Sequence, residues 1–102
     1  MREGDVPKGY WIANNVVHDA DQYEEYKKLN AKAFDKYGAK FLVRAGQQQV
    51  PEGEAHSRSV VLEFPSYQAA IDCYASPEYK AALDLRKGIA DTNMIIVEGY
   101  DG

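Results

Sequence analysis

Four short runs of this chain place apolar side chains on consecutive positions. Tyr10–Val17, Phe41–Val43, Val60–Phe64 and Met94–Val97 show little alternation between apolar and polar residues. A strand with one face in water alternates, so these runs predict strands covered on both faces. Between them the apolar spacing lengthens to that of helices. Tyr23, Tyr26, Leu29, Ala33, Phe34 and Tyr37 fall on one helical arc. A second arc holds Tyr79, Ala82, Leu83, Leu85, Ile89 and Ala90.

Boundary residues sharpen this order. The first strand is expected from about Lys8 to Val17. Asp19, with Gln22 three residues on, makes a capping-box pattern for a helix that runs to about Tyr37. Gly38 suits the left-handed residue that closes it. A strand over Lys40–Ala45, a polar loop over Gly46–Ser57 and a strand over Arg58–Phe64 follow. Ser66 caps a short helix to about Ala75, and Ser76-Pro77-Glu78 restarts a helix at once. That helix is expected to reach about Ala90, and the last strand to cover Asn93–Glu98. The result is an α+β chain, a ferredoxin-like β-α-β-β-α-β unit whose second helical segment is split. Its sheet should be antiparallel, with the first and third strands central and the helices on one face. A second copy should cover the other face, giving a homodimer paired through its sheets. The domain is expected over 8–99, with an N-terminal arm at 1–7 and a tail at 100–102.

Composition narrows the partners. At 102 residues the chain suits one domain, which buries roughly 65% of the surface its unfolded form exposes. A formal net charge of -4, with no basic run longer than two residues, argues against nucleic acid or an anionic membrane as partner. No apolar stretch reaches the ~20 residues of a membrane span, and the start is polar rather than a signal peptide. The expected location is the cytoplasm. The one cysteine, Cys73, rules out an internal disulfide and a cysteine-based zinc site. Eight tyrosines against three phenylalanines suit a half-polar pocket as well as partly exposed core edges.

Candidate chemistry lies where polar groups interrupt apolar faces. Asn30 sits inside the first helical arc and Arg86 near the middle of the last. A guanidinium on a core face keeps its charge and needs a carboxylate or an anionic ligand. Glu63 interrupts Val60-Val61-Leu62 and is the expected internal partner of Arg86. Asn14 and Asn15 stand in the first strand where valines would be expected, and one of them must face the helices. Arg44 follows Phe41-Leu42-Val43. Convergence of Asn14, Asn30, Arg44, Glu63 and Arg86 between sheet and helices would suit a small organic acid or enolate. The competing reading is a structural Arg86–Glu63 ion pair with Arg44 turned to solvent. His18 and His56 read as a turn and a loop residue; two isolated histidines make no metal site. Cys73 reads as a small core residue. No nucleophile elbow or phosphate loop is present.

Five segments carry a resemblance: Lys8-Gly9-Tyr10-Trp11-Ile12-Ala13, Phe41-Leu42-Val43-Arg44-Ala45-Gly46, Val61-Leu62-Glu63-Phe64-Pro65-Ser66, Tyr74-Ala75-Ser76-Pro77-Glu78-Tyr79 and Ile96-Val97-Glu98-Gly99. Together they resemble domain-of-unknown-function family 1330, of the dimeric α/β-barrel superfamily. The resemblance implies a sheet-paired dimer and supplies no activity. Superfamily relatives include cofactor-free monooxygenases, haem-degrading enzymes, isomerases and ligand sensors. Haem is disfavoured here because no histidine falls on a buried helical face, and no cofactor is expected. Where the family usually has glycine after the Arg44 position, this chain has Ala45. The expected function is binding of a small anionic molecule, with room for a cofactor-independent enzymatic step. The alternative is a non-catalytic structural or interaction module with a filled core.

Overall fold

A computed structural model describes residues 6–100. Its elements are β1 (Gly9–Val17), α1 (Ala20–Tyr37), β2 (Lys40–Arg44), β3 (Arg58–Phe64), α2 (Tyr67–Ala75), α3 (Pro77–Arg86) and β4 (Ala90–Glu98). The strands form one sheet in the order β2-β3-β1-β4, and every neighbouring pair is antiparallel. This is the expected ferredoxin-like arrangement, with β1 and β3 central and the second helical segment split in two. Most of the expected N-terminal arm, and the last two residues of the expected tail, lie outside the described residues.

The capping residues act as their chemistry suggests. Asp19 accepts the backbone N–H of Gln22, and Gly38 closes α1 at φ 72°. Ser76 ends α2 and starts α3. Its hydroxyl donates to the Cys73 carbonyl at 2.6 Å and accepts from the Tyr79 N–H at 3.1 Å. Pro77 then occupies the first turn of α3, where its missing N–H costs nothing.

The last helix is shorter than its apolar arc predicts. It stops at Arg86, Gly88 turns the chain at φ 82°, and β4 begins at Ala90 rather than Asn93. The pairing of Val17 with Ala90 and of Val16 with Asp91 explains the change. Extending the ladder along all of β1 satisfies backbone groups that another helical turn would leave to water.

Side-chain parity follows from that ladder. Trp11, Ala13 and Asn15 of β1 face the helices, as do Val60, Leu62 and Phe64 of β3. Trp11 is the hub of the core. Its ring meets Phe34, Phe64, Tyr74 and Tyr79, and its indole N–H donates to the Ala70 carbonyl at 2.9 Å. The other face of the sheet carries Ile12, Val43, Val61, Ile95 and Val97, of which Ile12, Val43, Ile95 and Val97 are exposed in the single chain. The molecule is a slab only 17 Å thick in its shortest direction.

Candidate functional site

A small cavity of about 30 Å³ lies between the sheet and the helices. Its floor is the helix-facing side of the sheet: Ala13 and Asn15 from β1, Arg58, Val60 and Leu62 from β3, Thr92 and Met94 from β4. Its roof is Tyr23, Tyr26, Asn30 and Phe34 of α1 with Arg86 of α3, and Arg44 closes the β2 side.

Three of the five residues singled out from sequence meet there. Asn30 and Arg86 are buried, each 7% exposed, and Arg44 lies at the exposed edge. Asn14 and Glu63 do not join them. Asn14 pairs with Ser59 and Asn93 on the face away from the helices. There its amide donates to the Ser59 hydroxyl and the His56 carbonyl, and its carbonyl accepts the His56 N–H at 2.7 Å. Glu63 lies on that same face, opposite Tyr10, whose hydroxyl donates to its carboxylate at 3.1 Å. The expected Arg86–Glu63 pair is therefore absent, because a β-strand sends Glu63 to the side opposite its neighbours Leu62 and Phe64.

Of the two asparagines, one of which had to face the helices, Asn15 is the one that does, and Arg58, not singled out from sequence, joins it at the cavity. Asn15 is 3% exposed and faces the cavity, one position from the expected Asn14. Its amide donates to the Tyr23 hydroxyl at 3.3 Å, which also accepts from the Arg58 guanidinium at 2.9 Å. Parity could have found both. If Trp11 is inside, Asn15 is inside; if Val60 and Leu62 are inside, so is Arg58. Thr92 also lines the cavity and was missed because β4 begins earlier than expected.

The electrostatics of the cavity are one-sided. Arg44, Arg58 and Arg86 line it, and none of its lining residues is a carboxylate. Among the described residues no salt bridge engages any of the three arginines. Lys27 at the rim is neutralised by Glu24 at 2.9 Å. The arginines instead lie over aromatic faces: Arg44 is 4.1 Å from the Phe41 ring centre, Arg58 5.0 Å from Tyr23 and Arg86 5.6 Å from Tyr26. Beneath Arg86 the hydroxyls of Tyr26 and Tyr79 share a hydrogen bond of 2.7 Å. Burial raises the Tyr26 pKa, offset in part by the Tyr79 bond and the Arg86 charge. Burial also raises that of Tyr79. Both are thus neutral hydroxyls, able to donate a hydrogen bond and unsuited to act as bases.

His18 pairs with Asp91 at an exposed turn, 3.0 Å apart, away from the cavity. No group of three or more His, Cys, Asp or Glu side chains that could hold a metal occurs among the described residues. Nor is any described helix long and apolar enough to cross a membrane.

The profile of the family described as Domain of unknown function (DUF1330) matches residues 8–100. No curated protein matches the sequence. Solved structures match the fold. A protein of unknown function from Rhodopseudomonas palustris superposes with a TM-score of 0.76 at 16% identity, covering 94% of this chain and 85% of that one. SnoaB, a cofactor-independent oxygenase from Streptomyces nogalater, gives 0.62 at 12% identity over 95% and 97%. A dimeric ferredoxin-like protein of unknown function from Thermobifida fusca gives 0.61 at 16% identity over 91% and 92%. At these identities the likeness concerns fold alone.

Proposed function

The chain belongs to the DUF1330 family, and we propose that it binds a small organic anion in the cavity between sheet and helices, as a homodimer. The observation that carries this reading is the set of three arginines around a cavity with no carboxylate, in a chain of net charge -4. An acidic protein that gathers guanidiniums without carboxylates in one half-buried place is suited to an anion, because a buried cation needs a counter-charge. Arg86 and Arg58 hold the anion, Asn15 and Asn30 orient it, and Arg44 draws it in at the edge. Asn14 and Glu63 have no part in this site.

The cavity of about 30 Å³ has room for a compact polar head, since a water needs at least ~10–15 Å³. It does not reach the ~300 Å³ of a typical ligand pocket, which favours the alternative of a filled-core interaction module over a large enclosed substrate. What fits is the head of an acid whose remainder lies toward the surface. A cofactor-independent enzymatic step at this place would use Tyr26 as a neutral hydrogen-bond donor to a developing oxyanion.

The homodimer rests on the exposed apolar side chains of the sheet, Ile12, Val43, Ile95 and Val97, on the side opposite the helices. A second copy packed there removes them from water. The dimeric Thermobifida fusca protein, which shares the fold, is consistent with this.

Titration calorimetry of small carboxylates against the wild type and Arg86→Met tests the binding. Heat of binding in the wild type, lost in the variant, is the expected result. Wild-type protein that takes up none of the acids would leave the filled-core module as the better reading.

A further inference from the structure

Three buried polar atoms around the cavity have no hydrogen-bond partner among the described residues: Asn15 Oδ1, Arg86 Nε and Thr92 Oγ1. Buried polar groups are nearly always paired, so three orphans at one place mark something to be bound. Their chemistry is specific. Arg86 Nε–H can only donate, Asn15 Oδ1 can only accept, and the Thr92 hydroxyl can do either. A plain carboxylate accepts from Arg86 and Thr92 but offers nothing to Asn15. A ligand that also carries a hydroxyl on the adjacent carbon satisfies all three.

Arg86 and Thr92 line a second, outer chamber as well. It holds about 260 Å³, and its other walls are Leu83, Lys87, Gly88 and Ala90. It lies where α3 ends and β4 begins, and two of its wall residues are shared with the inner cavity. The inner space takes a compact polar head. The outer one takes a short apolar substituent against Leu83 and Ala90, with Lys87 at the exposed edge.

Resting on the anion-binding reading above, we propose that the ligand class is a 2-hydroxy carboxylic acid with a short aliphatic substituent. Its carboxylate accepts from Arg86 Nε–H and the Thr92 hydroxyl, and its own hydroxyl donates to Asn15 Oδ1. The substituent occupies the outer chamber. A site built this way discriminates strongly against an analogue that lacks the hydroxyl, because that analogue leaves Asn15 Oδ1 buried and unpaired.

Calorimetry with 2-hydroxyisovalerate and isovalerate, a pair that differs by one hydroxyl, tests this on the wild-type chain. The expected result is at least tenfold tighter binding of the hydroxy acid. Asn15→Leu, which removes the acceptor at similar volume, should weaken the hydroxy acid far more than isovalerate and so bring the ratio close to one. Thr92→Val, a near-isosteric change, should weaken both acids. Equal affinity of wild type for the two acids overturns the hydroxy-acid assignment and leaves the anion site standing. Failure of both acids to bind overturns the anion site and this assignment together. If Asn15→Leu fails to fold, the affinity ratio of the two acids on the wild type still separates these outcomes.

Discussion

Arg86→Met is the substitution whose outcome the structure constrains most tightly. The sequence places a cation on a core face and points to Glu63 as its partner; on that basis the change strands a buried carboxylate and costs roughly 3 kcal/mol. The structure reverses the sign. Glu63 sits on the other face of the sheet, hydrogen-bonded to Tyr10, so Arg86→Met strands no carboxylate among the described residues. What is lost is the guanidinium over the Tyr26 ring at 5.6 Å, a desolvated cation–π contact near its ~6 Å limit and worth about 0.5–2 kcal/mol. What is gained is release of a charge that is 7% exposed and whose Nε has no partner among the described residues. Replacing a buried ion pair by apolar side chains of similar volume yields up to about 4 kcal/mol, and a buried guanidinium with no carboxylate partner releases its desolvation cost in the same way, here taken as about 1–4 kcal/mol. Set against each other, the two ranges run from about −1 to about +3.5 kcal/mol, centred on a gain of about 1 kcal/mol. For a domain of this size each kcal/mol moves Tm by roughly 4–8 °C. Urea titration of both proteins, without added acid, gives the free energies. Glu63→Gln serves as control, and its effect should add to that of Arg86→Met rather than rescue it. A loss of about 3 kcal/mol in Arg86→Met, in the range for breaking a buried pair, would refute the reasoning. It would mean that a carboxylate from outside the described residues reaches Arg86.

Four further outcomes are expected. Ile95→Asp, on a side chain 57% exposed in the single chain, should convert a dimer into a monomer of about half the mass in sedimentation; an unchanged dimer would place the interface elsewhere. Cys73 is fully buried, and its thiol pKa is pushed up to about 12 by burial and then by the Glu78 charge. It should react with thiol reagents only on unfolding, and Cys73→Ala should cost roughly 1 kcal/mol without touching acid binding. Ala45 sits at φ 58°, a left-handed position that costs a non-glycine residue about 1–2 kcal/mol, so Ala45→Gly should stabilise by up to about 1 kcal/mol in urea titration after its greater unfolded-state entropy is subtracted. Lys36 and Glu78, 3.1 Å apart, join α1 to α3. The Glu78 pKa is lowered by its own backbone N–H and then by Lys36, so its contribution is present above the ordinary carboxylate value and lost as pH falls through the lowered one. Lys36, raised by Glu78, contributes fully below its ordinary value and less as pH rises through the raised one. Glu78→Gln should therefore flatten both the acid and the alkaline ends of a stability–pH curve while leaving its middle nearly level.

The fold was legible because its signals are local and redundant. Asp19, Gly38, Ser66 and Ser76-Pro77 mark element ends through backbone chemistry that does not depend on distant residues. Helix faces were legible too: Asn30 and Arg86 lie inside their apolar arcs and are buried. The strands yielded their extent but not their faces. Parity can be assigned when one face is polar. Here both faces are apolar, so the pattern does not separate Asn14 from Asn15 and puts Glu63 among core residues. The indole of Trp11, the largest side chain in β1, is the one signal that breaks this symmetry. The end of α3 was hidden for a different reason. Leu85, Ile89 and Ala90 keep a helical spacing, yet Gly88 and the ladder with β1 end the helix first, and ladder length is a non-local property.

Trp11 is the only tryptophan in the chain. It is 1% exposed, packed edge-on against Tyr79 at 4.9 Å, and it lines the inner cavity. An indole in so dry a setting emits to the blue of one in water, and tyrosines within a few ångströms pass their excitation to it. The protein thus contains a single indole fluorophore at the place where a ligand head would settle. Entry of an anion, exchange of trapped water or loosening of the α3 end each alters the dielectric around one ring. Emission wavelength and quenching can follow all three in real time, with no label and no second tryptophan to dilute the signal.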